Sequence, residues 1–168
     1  MKTKTPIIII AILVLVGFAI YLTIENEQAK ANQAKMINTD IDKIVARMNR
    51  VLDEPDAFSA HTKAQRDDDQ VRLERLASSI KADIDDIIIE MKAKGYPYED
   101  KLKKDVNMFF AVYRAWVEEK KFGYNMGDLG DSNTENKSKV QSDQMKLDAV
   151  TEISDVQSLR VDSSTLTK

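Results

Sequence analysis

Eighteen consecutive residues, Ile7 to Ile24 (IIIIAILVLVGFAIYLTI), carry no charge, and only Gly17, Tyr21 and Thr23 depart from plain apolar character. As a helix the run is about 27 Å long, close to the hydrocarbon thickness of a bilayer and longer than the apolar core of most secretory signals. It predicts a single N-terminal transmembrane helix over residues 7–24, a signal-anchor. Lys2 and Lys4 precede it, whereas Glu25 and Glu27 follow it. Basic residues stay on the cytoplasmic side, so residues 1–6 are expected as a cytoplasmic tail and everything beyond residue 24 as extracytoplasmic. In a bacterium this is a single-pass inner-membrane protein with its C-terminal domain in the periplasm or outside. The competing reading is cleavage after Ala29-Lys30-Ala31, a small-x-small pattern that would remove residues 1–31. Either route exports the body of the chain.

An exported chain of 168 residues without cysteine is held by no disulfide. The same absence removes thiol catalysis, zinc–thiolate sites and lipoprotein anchoring, and a lone His61 leaves no multi-histidine metal centre. After the apolar run, 23 basic residues face 28 acidic ones, a balance unsuited to nucleic acid. No second run is long enough to span a bilayer, so the chain crosses once at most.

Beyond the anchor, Gly and Pro occur only at Pro55, Gly95, Pro97, Gly123, Gly127 and Gly130, between segments of helical periodicity. Four helices and no sheet are expected, over about residues 25–53, 66–94, 97–122 and 138–161, with 162–168 a flexible tail. The first continues the anchor and carries a heptad seam of Ala34, Ile37, Ile41, Ile44, Met48 and Val51 before Pro55 ends it. The second repeats the pattern with Leu73, Ala77, Ile80, Ile84, Ile87 and Met91, widened by Leu76 and Ile88 to face two neighbours. Gly95 suits the position past a helix C-terminus, and Pro97 suits the first turn of the next helix. That third helix carries Leu102, Val106, Phe109, Tyr113 and Trp116, broadened by Phe110 and Val117. Eight of the eleven aromatic residues lie between Tyr96 and Tyr124, which makes it the expected centre of the core. Phe122 and Gly123 read as its close, and residues 124–137, rich in Gly, Asn and Asp, as a mobile membrane-distal loop. Val140, Leu147, Val150, Ile153, Val156 and Leu159 give the last helix a stripe, mostly at intervals of three.

Amphipathic helices of this length bury one another's faces in an up-down-up-down bundle. The fold class is therefore all-α, one N-terminal transmembrane helix followed by an extracytoplasmic antiparallel four-helix bundle over residues 25–161. In outline this resembles the extracytoplasmic four-helix sensor modules of chemoreceptors and histidine kinases. The resemblance is one of architecture, and the second membrane helix of such receptors is missing here. The heptads of helix one also offer a coiled-coil route to a homo-oligomer.

Chemistry-bearing constellations are few. Phe109, Phe110, Tyr113, Arg114 and Trp116 are the candidate lining of an interhelical ligand pocket, with Arg114 meeting an anionic group. The plainer reading is core packing, with Arg114 reaching solvent. Asp83, Asp86 and Glu90 share a helix face, the usual pattern of a solvated one. Asn125, Asp128, Asp131, Asn133 and Glu135 form an oxygen-rich cluster of the kind calcium prefers, without EF-hand spacing. His61 lies in the acidic connection 54–65, a candidate pH sensor or, more plainly, an ordinary exposed loop histidine. Asn136-Lys137-Ser138 is a glycosylation acceptor only in a eukaryotic secretory route. The Glu-x-x-His pairs of a di-iron bundle do not occur. We assign no catalytic residue, no metal and no cofactor, and read the chain as a non-enzyme.

These features describe a membrane-anchored interaction or scaffold subunit of a bacterial cell-envelope assembly, whose partners are other membrane or envelope proteins. Two alternatives share the layout, a ligand-binding sensory module acting through a membrane partner and an inner-membrane component of a phage lysis apparatus. Ile84→Asp and Trp116→Ala should each destabilise the body of the protein by several kcal/mol. Thermal unfolding followed by circular dichroism checks this, and unchanged melting curves for both would break the bundle.

Overall fold

The computed structural model describes residues 4–53, 58 and 61–166, with side chains from residue 13 onward. Four helices form, α1 (Lys4–Leu52), α2 (Lys63–Ala93), α3 (Glu99–Asp128) and α4 (Ser132–Ser158), and no strand occurs among the described residues. α1 packs on α2 and α4, α2 packs on α3, and α3 packs most extensively on α4. The helices thus close a ring in chain order, a helical bundle around one apolar core.

α1 is unbroken over 49 residues, but its two halves have different surroundings. From Leu13 to Ile24 its large apolar side chains are exposed, whereas Ala34, Ile37, Ile41, Ile44, Met48 and Val51 are buried, as the heptads predict. No helix among the described residues is long and apolar enough to cross a membrane. The side chains of residues 7–12, which open the apolar run, lie outside the described set.

α2 begins a turn earlier than its periodicity suggests because Thr62 and Gln65 form a capping box. The Thr62 hydroxyl accepts from the Gln65 N–H, and the Gln65 side chain accepts from the Thr62 N–H. Leu73, Ala77, Ile80, Ile84, Ile88 and Met91 are buried, and Ile87 packs against them half-buried. Gly95, at φ 76°, makes the left-handed turn into α3. On α3 the expected core residues Leu102, Val106, Phe109, Phe110, Tyr113, Trp116 and Val117 are all buried.

The junction of α3 and α4 differs most from the sequence reading. α3 does not close at Gly123, and residues 124–137 are not a loop. Helix continues to Asp128, Gly130 turns the chain at φ 80°, and Asp131 caps α4 by accepting from the Thr134 N–H. Gly123 and Gly127 sit inside a helix and face α4, which at Gly123 passes too close for a side chain. A Cβ on Gly123 would stand 2.7 Å from Ser138 Oγ, and one on Gly127 would stand 2.8 Å from the Glu135 carboxylate. Ser138 uses the space to donate from Oγ to the Glu119 carbonyl at 2.7 Å.

The face that α4 buries changes accordingly. Ser138, Ser142 and Ala149 are buried with Ile153 and Val156, while Val140, Leu147 and Val150 are 71%, 61% and 49% exposed. Ile153, Val156 and Leu159 of the expected stripe are buried, but in the first part of the helix close approach selects small side chains, and hydrophobicity alone marked the wrong side there. The C-terminal segment also departs from a frayed tail up to residue 166. Val161 and Leu166 are buried, and Asp162 accepts from the backbone N–H groups of Ser164 and Thr165. Residues 167–168 lie outside the described set.

The buried part of α1, from Ala34 to Leu52, is about 27 Å long, whereas α2, α3 and α4 run about 40 to 46 Å. α1 therefore stops short, and α2, α3, α4 and the buried Phe58 make the far part of the core. Gly123→Ala should lower stability by about 1–3 kcal/mol through overpacking, although Ala is the better helix former. Gly127→Ala should be neutral or stabilising by up to about 1 kcal/mol, because the Glu135 carboxylate can swing away. Urea unfolding of the two variants makes the comparison, and equal losses would contradict the close approach at Gly123.

Candidate functional site

Polar side chains gather at three places. The first is a collar where α1 enters the bundle. Asn38 exchanges two hydrogen bonds with the backbone of Val161, donating from Nδ2 at 2.8 Å and accepting at Oδ1 at 2.9 Å. Gln33 donates to the carbonyl of Lys94, and Arg160 forms an ion pair with Asp42. The Tyr96 hydroxyl donates to the Leu159 carbonyl at 3.0 Å; burial, then Tyr98 and Asp105, push its pKa well up, so it remains a neutral donor. Asp40 is buried and takes Lys94 Nζ at 2.6 Å and Lys43 Nζ at 2.8 Å. Burial pushes its carboxyl up, but the hydrogen bonds and charges of the two lysines outweigh that and hold it below the ordinary 3.8. The collar ties α1 to the α2–α3 turn and to the end of α4.

The second place is the opposite end, closed by Arg66. Its side chain is buried at the start of α2 and spends its donors on Asn125 Oδ1 at 3.0 Å, the Asp128 carboxylate and the His61 carbonyl. His61 in turn pairs through Nδ1 with Asp69. Three of the residues singled out in the sequence, His61, Asn125 and Asp128, therefore meet around an arginine that was not.

The third place is a cleft of about 230 Å³ along the α3–α4 groove, bordered by Lys120, Tyr124, Glu135, Lys139 and Asp143. Its floor is Gly123 with Ser138 and Ser142, so the absence of side-chain volume creates it. Close by, Trp116 has the ammonium groups of Lys120 and Lys146 at 5.1 Å and 5.8 Å from its ring centre.

The five residues named as a candidate pocket lie elsewhere and do not share one surface. Phe109, Phe110, Tyr113 and Trp116 are buried, with the Phe109 ring centre 5.0 Å from that of Phe110 and 6.4 Å from that of Tyr113, and Tyr113 and Trp116 5.6 Å apart. Arg114 is exposed on the outer face of α3. Of the acidic groups, Asp83, Asp86 and Glu90 are exposed on α2. The oxygen-rich cluster is divided between the Arg66 network, the α4 cap at Asp131 and the Gly127 contact of Glu135. Among the described residues, no group of three His, Asp or Glu side chains is arranged to hold a metal ion. Ser138, third residue of the Asn136 sequon, is buried in the α3–α4 seam.

Sequence reasoning missed the collar and Arg66, whose partners lie far away in the chain. It missed the cleft although Gly123/Gly127 and Ser138/Ser142, two small pairs at four-residue spacing, were visible. Comparison with models of known protein families, with curated proteins and with solved structures finds no match to this chain.

A carboxylate held below its ordinary pKa contributes stability above that pH and loses it as the pH falls through the lowered folded value. Asp40→Asn should thus cost about 1–3 kcal/mol at neutral pH, where Lys94 loses its buried counter-charge. The gap from the parent should narrow below pH 3.8. Denaturation at a series of pH values measures it, and a gap that stays constant into strong acid would remove the ionic role of Asp40.

Proposed function

We propose that this chain is a membrane-anchored, non-enzymatic interaction subunit of a bacterial cell-envelope assembly, with a single N-terminal transmembrane helix carrying an extracytoplasmic bundle. One observation carries the reading. α1 is a continuous helix whose segment from Leu13 to Ile24 presents exposed apolar side chains all round, with no other element packed on it among the described residues. Such a surface is unfavourable in water and suits lipid, where a helix satisfies its own backbone. The residues that follow, 25–33, are hydrophilic and form a spacer about 13 Å long before burial begins at Ala34. The bundle then stands clear of the headgroups, at a height fixed by helix geometry. Lys2 and Lys4 before the run and Glu25 and Glu27 after it support an extracytoplasmic bundle.

The apolar run, longer than the core of most secretory signals, favours a retained anchor over cleavage after Ala29-Lys30-Ala31, which lie mid-helix. A ligand-binding module acting through a membrane partner is the second reading, favoured by the α3–α4 cleft.

The absence of cysteine makes topology directly measurable. In spheroplasts, a membrane-impermeant maleimide should label Asn136→Cys at once and Lys2→Cys only after the membrane is permeabilised, and alkaline carbonate should leave both proteins in the membrane. Immediate labelling at Lys2→Cys, or release by carbonate, would overturn the anchor and its orientation.

A further inference from the structure

On the outer side of α3, opposite its aromatic core, Met108, Ala115, Phe122 and the following Leu129 recur every seven residues. Met108, Phe122 and Leu129 are 46%, 45% and 76% exposed. A line at strict seven-residue spacing drifts by about 20° per heptad around a straight helix, and a second helix follows it by crossing at a shallow left-handed angle. Ala111 and Ala115 are small enough to let that helix come close.

We propose that this line docks a second copy of this chain, α3 against α3 in parallel about a two-fold axis. Two features select that occupant. In a parallel symmetric pair each residue of the line meets itself, so Met108, Ala115, Phe122 and Leu129 each bring apolar against apolar, and Glu118 is the level that opposes the pairing. Arg114 and Glu119 also take the flanking positions whose side chains cross between parallel helices, so Arg114 of each copy reaches Glu119 of the other. The surface is therefore self-complementary in charge. Glu118 is the one acidic residue within the line itself, and Arg114 stands one turn before it on the same helix.

The outward stripe of α4 lacks this property. Asp143 interrupts Val140, Leu147 and Val150, and the flanking Lys139 and Lys146 would face Gln144 and Thr151. The parallel sense rests on the membrane tether proposed above, since two copies anchored in one bilayer point their α3 helices the same way. Confinement to the bilayer also raises the effective concentration, so a short seam suffices.

The test uses the full chain in membranes, with one cysteine introduced at a time and mild copper-catalysed oxidation. A disulfide requires close approach of the two Cβ atoms, so homotypic cross-linking reads the axis directly. Met108→Cys and Phe122→Cys should each give disulfide dimer in clear excess of Val140→Cys. Added to Phe122→Cys, Arg114→Glu should weaken pairing roughly tenfold, as two ion pairs become two repulsions. Glu118→Leu should strengthen it, and as an exposed position it puts little of the fold at risk. Dimer no greater than at Val140→Cys overturns the proposal, and dimer at Ala115→Cys alone overturns it too, because antiparallel helices meet themselves only at their crossing point. Membrane-retained protein without α3 dimer removes the pairing and leaves the anchor. Dimer formed by protein that carbonate releases removes the anchor and leaves the surface.

Discussion

A hydroxyl occupies the place of a missing side chain, and much of this fold follows from it. The Ser138 hydroxyl of α4 lies 2.7 Å from where a Cβ of Gly123 would be and bonds to the backbone of α3 one turn away, at Glu119. Contact at backbone distance leaves little freedom to slide, because any shift of register drives a side chain into the facing helix. The α3–α4 hairpin is therefore the rigid part on which the others settle. Its turn presents Asn125 and Asp128 to Arg66, which fixes the start of α2. Its other end delivers Leu159, Arg160 and Val161 to the collar, which fixes α1.

α1 has to satisfy two environments with one unbroken helix. Its first part is apolar all round and its last part is amphipathic with a heptad seam, and the change takes place across about three hydrophilic turns. A lone helix in that spacer gains nothing from packing, so its persistence depends on being held at its ends. The collar holds one of them, through Gln33 at the end of the spacer and Asn38, Asp40 and Asp42 beyond it. Bonds that look merely structural thus hold the exposed first part of α1 to the bundle.

The seams of α1, α2 and α3 were legible because large aliphatic and aromatic residues at steps of three and four have one good place to go. The seam of α4 was legible only at Ile153, Val156 and Leu159, since Ser138, Ser142 and Ala149 carry little hydrophobic signal, and Val140, Leu147 and Val150 carry a strong one on the other face. Gly123 and Gly127 were misread for a related reason. Glycine marks both a break in a helix and a point where two helices touch, and at Gly123 only the small Ser138 on the facing helix tells the cases apart. Arg66 gives no local sign of its role, because the residues that hold it lie 59 and 62 positions away. The aromatic cluster could be placed in the core from spacing alone. Arg114 follows Tyr113 by one residue, a rotation of about 100° on a helix, which is enough to carry it off that face.

The unbroken α1 has a mechanical consequence. From Ile24 to the α3–α4 turn is about 60 Å, made of about 21 Å of α1 up to Asn38 and then the length of α4. For the membrane tether proposed above, that distance is a lever arm. Membrane helices lean by up to a few tens of degrees, and a change of about 10° at the base sweeps the far turn sideways by about 10 Å. Bilayer thickness and the neighbours of the anchor then decide how far the tip can reach, and in which direction it swings.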